Sequence, residues 1–144
     1  MIKLRAYLAS GWFNKDQVKV LKQMENVLAL LDFVDVYSPR KESVYKPSEG
    51  NHTDIVKENL RALHNVDIVV ASTEGKDMGT LFECGYAVAI DVPVIYYYPH
   101  CGDFNIMLAT TGKVVKTAEE LLTTIHDFHT TRTITVNNYT GGML

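Results

Sequence analysis

Two rhythms of apolar residues alternate along the chain. Compact apolar runs at residues 2–9, 33–37, 66–71, 92–97 and 114–115 read as strands. Their ends are marked by Ser10-Gly11 and Ser38-Pro39, and Pro93 stands near the start of the fourth. Between them the spacing changes. Over residues 14–31, Val18, Leu21, Met24, Val27, Leu28 and Leu31 recur at helical intervals behind Asn14, a suitable N-cap. Residues 52–64, 79–90, a short piece at 105–109 and 118–128 also read as helices. The polar stretch 40–50, with Pro47 and Gly50, reads as a loop, residues 72–77 as an acidic loop and 99–103 as a turn. Strand and helix alternate throughout, which predicts an α/β fold: a doubly wound, five-stranded parallel sheet of flavodoxin-like order with helices on both faces. Residues 1–130 form one domain on this reading. The polar tail, 131–144, is expected to be disordered or docked on a neighbouring subunit.

Composition narrows the function classes. An apolar content of 47% and a charged content of 22% are ordinary for a globular protein, and 144 residues suffice for one core. A net charge of −3 gives no electrostatic case for nucleic acid or an anionic membrane. No signal-peptide pattern or membrane-length apolar run is found, so the expectation is a soluble, cytoplasmic protein. Cys84 and Cys101 have neither metal spacing nor a disulfide-rich context. The histidines are scattered, with no metal set and no Ser/His/Asp arrangement.

The chemistry concentrates in Asp77-Met78-Gly79-Thr80-Leu81-Phe82-Glu83-Cys84-Gly85-Tyr86-Ala87. Glu83 falls in the first turns of a helix that follows a strand, where parallel sheets place their ligand sites. The helix dipole is expected to favour its ionised form, as suits a nucleophile. Thr80-x-x-Glu83 also fits a capping box, and taken alone that structural reading outweighs the catalytic one. Asp77 is near enough in sequence to border the same pocket. Trp12 and Phe13, in the loop after the first strand, offer a stacking platform for a planar base or a plug for the core end. Asp67, by position, reads first as a strand-edge residue. The Gly-rich dinucleotide and triphosphate cradles are absent.

Together these segments resemble the nucleoside 2-deoxyribosyltransferase family. The matching features are Tyr7 followed by Gly11-Trp12-Phe13, then Asn65-Val66-Asp67-Ile68, Asp77-x-Gly79-Thr80-x-x-Glu83-x-Gly85-Tyr86-Ala87 and Asn105-Ile106-Met107. The resemblance implies that Glu83 is the nucleophile at the anomeric carbon and that Tyr7 holds it in line. It also implies that Asp67 and Asp77 are further active-site acids, and that Gly11, Trp12 and Phe13 belong to substrate binding. Asn105 and Met107 would come from a neighbouring subunit, so a homo-oligomer, a dimer-based tetramer or hexamer, is expected. The substrates implied are a 2′-deoxynucleoside and a free nucleobase, with no metal or organic cofactor. Two departures stand out: residues 140–144 follow Tyr139 where relatives commonly end, and Asn59 stands where they often carry Asp.

Two other readings compete. A hydrolase of deoxynucleosides or their 5′-monophosphates would share Tyr7, Asp77 and Glu83; for the phosphate it would need a polar pocket near Ser10, Gly11 and Lys15. A non-catalytic nucleotide-binding domain on the same scaffold would need no turnover at all.

Overall fold

The computed structural model describes residues 2–42 and 52–144. Five strands, β1 (Leu4–Ala9), β2 (Val34–Tyr37), β3 (Ile68–Ala71), β4 (Val94–Tyr97) and β5 (Lys113–Val115), form one sheet in the order β2-β1-β3-β4-β5. Every pairing is parallel. The predicted flavodoxin-like order is therefore the observed one, with its switch point between β1 and β3. Tyr7 of β1 pairs with Tyr37 on one side and Val69 on the other.

The helices are α1 (Lys15–Ala29), α2 (Pro39–Glu42), α3 (His52–Asn65), α4 (Met78–Ala89), α5 (Ile106–Thr111) and α6 (Ala118–Thr131). Helix α1 starts where predicted, because the Asn14 side chain accepts a hydrogen bond from Gln17 N. Its buried residues Val20, Leu21, Met24, Val27 and Leu28 fall on one stripe and join those of α6 and one sheet face. Helices α3 and α4 cover the other face through Leu63, Cys84 and Ala87. Each fully buried aliphatic side chain contributes about 2 kcal/mol, so the sheet is clamped from both sides and its strand ends are held firmly.

Two expectations change. The stretch expected as a loop over 40–50 begins as the short helix α2, and the rest of it lies outside the described residues. Strand β4 starts only after Pro93, which has no N–H for the ladder but whose carbonyl accepts from Val69 N at 2.9 Å. The tail packs on its own chain. The Asn138 side chain pairs with both backbone groups of Val114 at 2.9 Å, continuing the ladder beyond β5, and Met143 bridges to Phe104. That contact covers the sheet edge and satisfies polar backbone that solvent would otherwise meet. Among the described residues no helix is long and apolar enough to cross a membrane.

Candidate active site

The carboxyl ends of β1 and β3 open into a cavity of about 530 Å³. Trp12, Phe13, Val56, Leu60 and Phe82 form apolar walls, and Asp77, Glu83 and Asn59 supply polar groups. Such a mixture suits a flat heterocycle held by few hydrogen bonds.

Helix α4 carries the carboxylate. Asp77 is its N-cap, accepting from Thr80 N at 2.9 Å and from Thr80 Oγ1 at 2.8 Å. The expected Thr80–Glu83 capping box does not form. Asp77 takes the cap and leaves Glu83 one and a half turns in, where it accepts a hydrogen bond from the Tyr7 hydroxyl. Glu83 also departs from the expected ionisation. Burial pushes its pKa up to about 7, the negative charge of Asp77 adds to this, and the Tyr7 hydrogen bond opposes it. Dipole effects fade beyond the first turn, so desolvation wins.

Tyr7 is fully buried, and burial followed by the Glu83 charge raises its pKa far above the usual range for a phenol. It is a fixed donor rather than a proton source. Its ring stacks on Tyr37 at 5.3 Å, and the Tyr37 hydroxyl donates to Asn59 Oδ1 at 2.9 Å. The Glu83–Tyr7 pair is thus continued through Tyr37 to the cavity wall. Sequence reasoning missed Tyr37, although it is the last residue of its strand and so lies at the ligand edge; Asn59 stood out there only as a departure from the Asp that relatives often carry. Cys84, next to Glu83, is pushed up to about 12 by burial and then by the Glu83 charge, so it serves packing.

The structure does not bring Asp67 into this cavity. It precedes β3, at the amino edge of the sheet, opposite the ligand edge. There Asp67 Oδ2 accepts from Arg5 N at 2.8 Å, and the carboxylate pairs with Arg5 and Arg132, each at 3.4 Å. Burial works to raise its pKa, but the Arg5 hydrogen bonds and the two guanidinium charges overcome it and hold the carboxyl below its ordinary value. The reading of Asp67 as a strand-edge residue fits, and its assignment as an active-site acid is corrected. Gly11 also stays off the cavity wall. It is buried, and a Cβ there would sit 2.6 Å from Gln17 Nε2, so its lack of a side chain serves the packing of Gln17.

Asn105 caps α5, accepting from Met107 N at 3.0 Å and Leu108 N at 3.2 Å. It lines a second cavity of about 760 Å³ with Glu74, Tyr98, His100 and Asp103, which shares no lining residue with the Glu83 cavity. Met107 is 70% exposed. Within one subunit these two residues therefore do not join Glu83. Among the described residues no three His, Cys, Asp or Glu side chains gather in a way that could hold a metal ion.

The family model for nucleoside 2-deoxyribosyltransferases matches residues 6–118, which span the whole cavity. The chain belongs to the nucleoside 2-deoxyribosyltransferase family. The 2-deoxyribosyltransferase of Bacillus psychrosaccharolyticus is similar in structure, with a TM-score of 0.73 and 26% identity over 82% of this chain and 90% of that one. The 2-desoxiribosyltransferase of Leishmania mexicana shares the fold at a TM-score of 0.67 and 19% identity, covering 90% of this chain and 99% of that one. So does a CMP N-glycosidase of Clostridium botulinum, at a TM-score of 0.57 and 18% identity over 86% and 98%. No curated protein sequence matches the chain. In this member of the family the cavity combines a carboxylate held by a phenol, an acid at the helix cap and aromatic walls.

Proposed function

We propose that this protein transfers 2-deoxyribose between nucleobases by double displacement. The observation that carries the reading is the Tyr7–Glu83 hydrogen bond at the edge of an apolar cavity. An oriented, partly desolvated carboxylate is a competent nucleophile for an anomeric carbon. In the first step a Glu83 oxygen bonds to C1′ as the C1′–N bond breaks, and the departing base takes its electron pair and a proton. In the second, a nitrogen of the incoming base attacks C1′, loses its proton and releases the Glu83 carboxylate, so configuration is retained. Asp77 is the group for that proton and for contacts to the base: in its protonated form it gives the proton to the departing base, and the carboxylate left behind takes one back from the incoming base. Trp12 and Phe13 flank the base.

Lacking an electron-withdrawing 2′-hydroxyl, a deoxyribosyl centre reaches an oxocarbenium-like transition state readily, and excluding water from the ester intermediate favours transfer over hydrolysis. A nucleoside is favoured over a 5′-monophosphate because no Lys or Arg is found among the described residues that line the Glu83 cavity. Lys15, Lys19 and Lys22 instead border a separate open groove behind Trp12 and Phe13. We also assign Asn105 and Met107 to the sugar side of a neighbouring subunit's site, which makes the working unit a homo-oligomer.

The test is chromatography after incubation with deoxyinosine plus adenine, and separately with thymidine plus adenine. Deoxyadenosine is the expected product. Free base without exchange would replace transfer by hydrolysis. No turnover of nucleosides or 5′-monophosphates would leave a binding domain.

A further inference from the structure

Gln17 is 4% exposed, and its carboxamide is used at both ends. Its Oε1 accepts from Phe13 N at 2.8 Å, and its Nε2 donates to the Glu74 carbonyl at 3.1 Å. One end therefore holds the loop that supplies Trp12 and Phe13 to the cavity. The other holds the Glu74–Lys76 turn, which leads directly into Asp77. Two glycines make room for it. A Cβ at Gly11 would lie 2.6 Å from Gln17 Nε2, and a Cβ at Gly75 would lie 2.7 Å from the same atom. Gly75 also has φ of +68°, a conformation that side chains disfavour. A carboxamide is well matched to this place because it offers one acceptor and one donor a short distance apart.

We propose that Gln17 is a positioning residue that locks the Phe13 wall of the base pocket to the loop carrying Asp77. This rests on the deoxyribosyl-transfer reading for its consequence on rate, but the lock itself can be read without turnover. With the tie in place, the aromatic wall and the helix-capping acid keep one spacing, which the base must fit. Without it, each loop relaxes separately, and base affinity falls while Glu83 and Tyr7, held by α4 and β1, stay aligned.

Trp12 is the only tryptophan in the chain and so reports on this loop by its fluorescence. Gln17→Met keeps the volume and removes both hydrogen bonds. It is expected to increase acrylamide quenching of Trp12 and to raise KM for the nucleoside about tenfold, with a smaller loss in kcat through the loosened Asp77 loop. Gly75→Ala strains the clasp from the far side. It is expected to shift Trp12 emission in the wild-type background and less in a Gln17→Ala background, where the side chain that its Cβ meets is gone, the sign of coupling through Gln17. Gln17→Leu repeats the comparison should the Met variant not fold. Unchanged Trp12 quenching in the Gln17 variants, or an equal Gly75→Ala effect in both backgrounds, would overturn the proposal. If the wild-type protein shows no base exchange, the transfer reading fails while the two fluorescence comparisons still decide the clasp.

Discussion

Tyr7 and Glu83, 76 residues apart in sequence, meet in one hydrogen bond at the edge of the cavity that Glu83 lines. A strand end and the second turn of a helix come together there because β1 and β3 are neighbours in the sheet and α4 follows β3 directly. The pair has opposing effects on the carboxyl group. Burial raises its pKa and Tyr7 lowers it, and burial wins.

That balance sets the pH profile. The attacking form is the carboxylate, so kcat/KM for base exchange is expected to rise with pH and level off above about 7. Tyr7→Phe removes the one influence that favours the charged form. Its acid limb is expected to move up by roughly one unit, with a rate loss of about 10- to 100-fold. A wild-type limb lying near the ordinary carboxylate range would refute the assignment of Glu83.

Stability follows the same shift. Glu83 rises from an ordinary 4.5 to about 7 on folding, so the folded state binds its proton more tightly than the unfolded state. Stability from this group is complete below about 4.5 and is lost as pH rises through about 7. Glu83→Gln does not ionise and can still accept from Tyr7. It is expected to be more stable than wild type at pH 8, by roughly 1–3 kcal/mol, and about equal at pH 4.5. Denaturant melts at the two pH values measure this, and a destabilised Gln variant at pH 8 would contradict it.

Asp67 provides the opposite case. Its carboxylate ties the amino edge of the sheet to Arg5 and Arg132, away from the cavity. Asp67→Ala is expected to cost on the order of 1–2 kcal/mol in stability, since a backbone hydrogen bond and a partly exposed ion pair are lost. The exchange rate of the folded protein should stay within about twofold of wild type. A hundredfold loss of kcat with an intact fold would return Asp67 to the chemistry.

The fold was legible because each strand carries its own apolar run and each main helix its own stripe. The site was legible only in part. Glu83 stood out because the turn after a parallel strand faces the ligand edge. Asp67 was misread through resemblance, although its position before β3 already put it at the far edge. The competition for the α4 cap was also misjudged: Asp77 and Thr80 are both good N-cap residues, and the choice of Asp77 is what frees Glu83. Gln17 and Tyr37 gave weaker signals. A glutamine on a helix looks like solvent-facing surface until the distant Gly75 loop closes over it, and Tyr37 matters through its stack on Tyr7 and its hydrogen bond to Asn59, neither of which a strand pattern shows.

Asn105 and Glu83 supply the last prediction, because one subunit keeps them in separate cavities. The oxygen of Asn105 is committed to the α5 cap, so the group it offers a ligand is its amide N–H2, a donor suited to a sugar hydroxyl. If that ligand sits in another subunit's Glu83 cavity, Glu83→Ala and Asn105→Ala damage the same site from different chains. Each variant alone is then expected to lose most activity. Mixed after dissociation and reassembly, the two should regain a substantial fraction of wild-type exchange, because some sites receive Glu83 from one parent and Asn105 from the other. Light scattering on the same samples should report an oligomer throughout. A monomer with full activity, or mixtures no more active than their parents, would confine the site to a single chain.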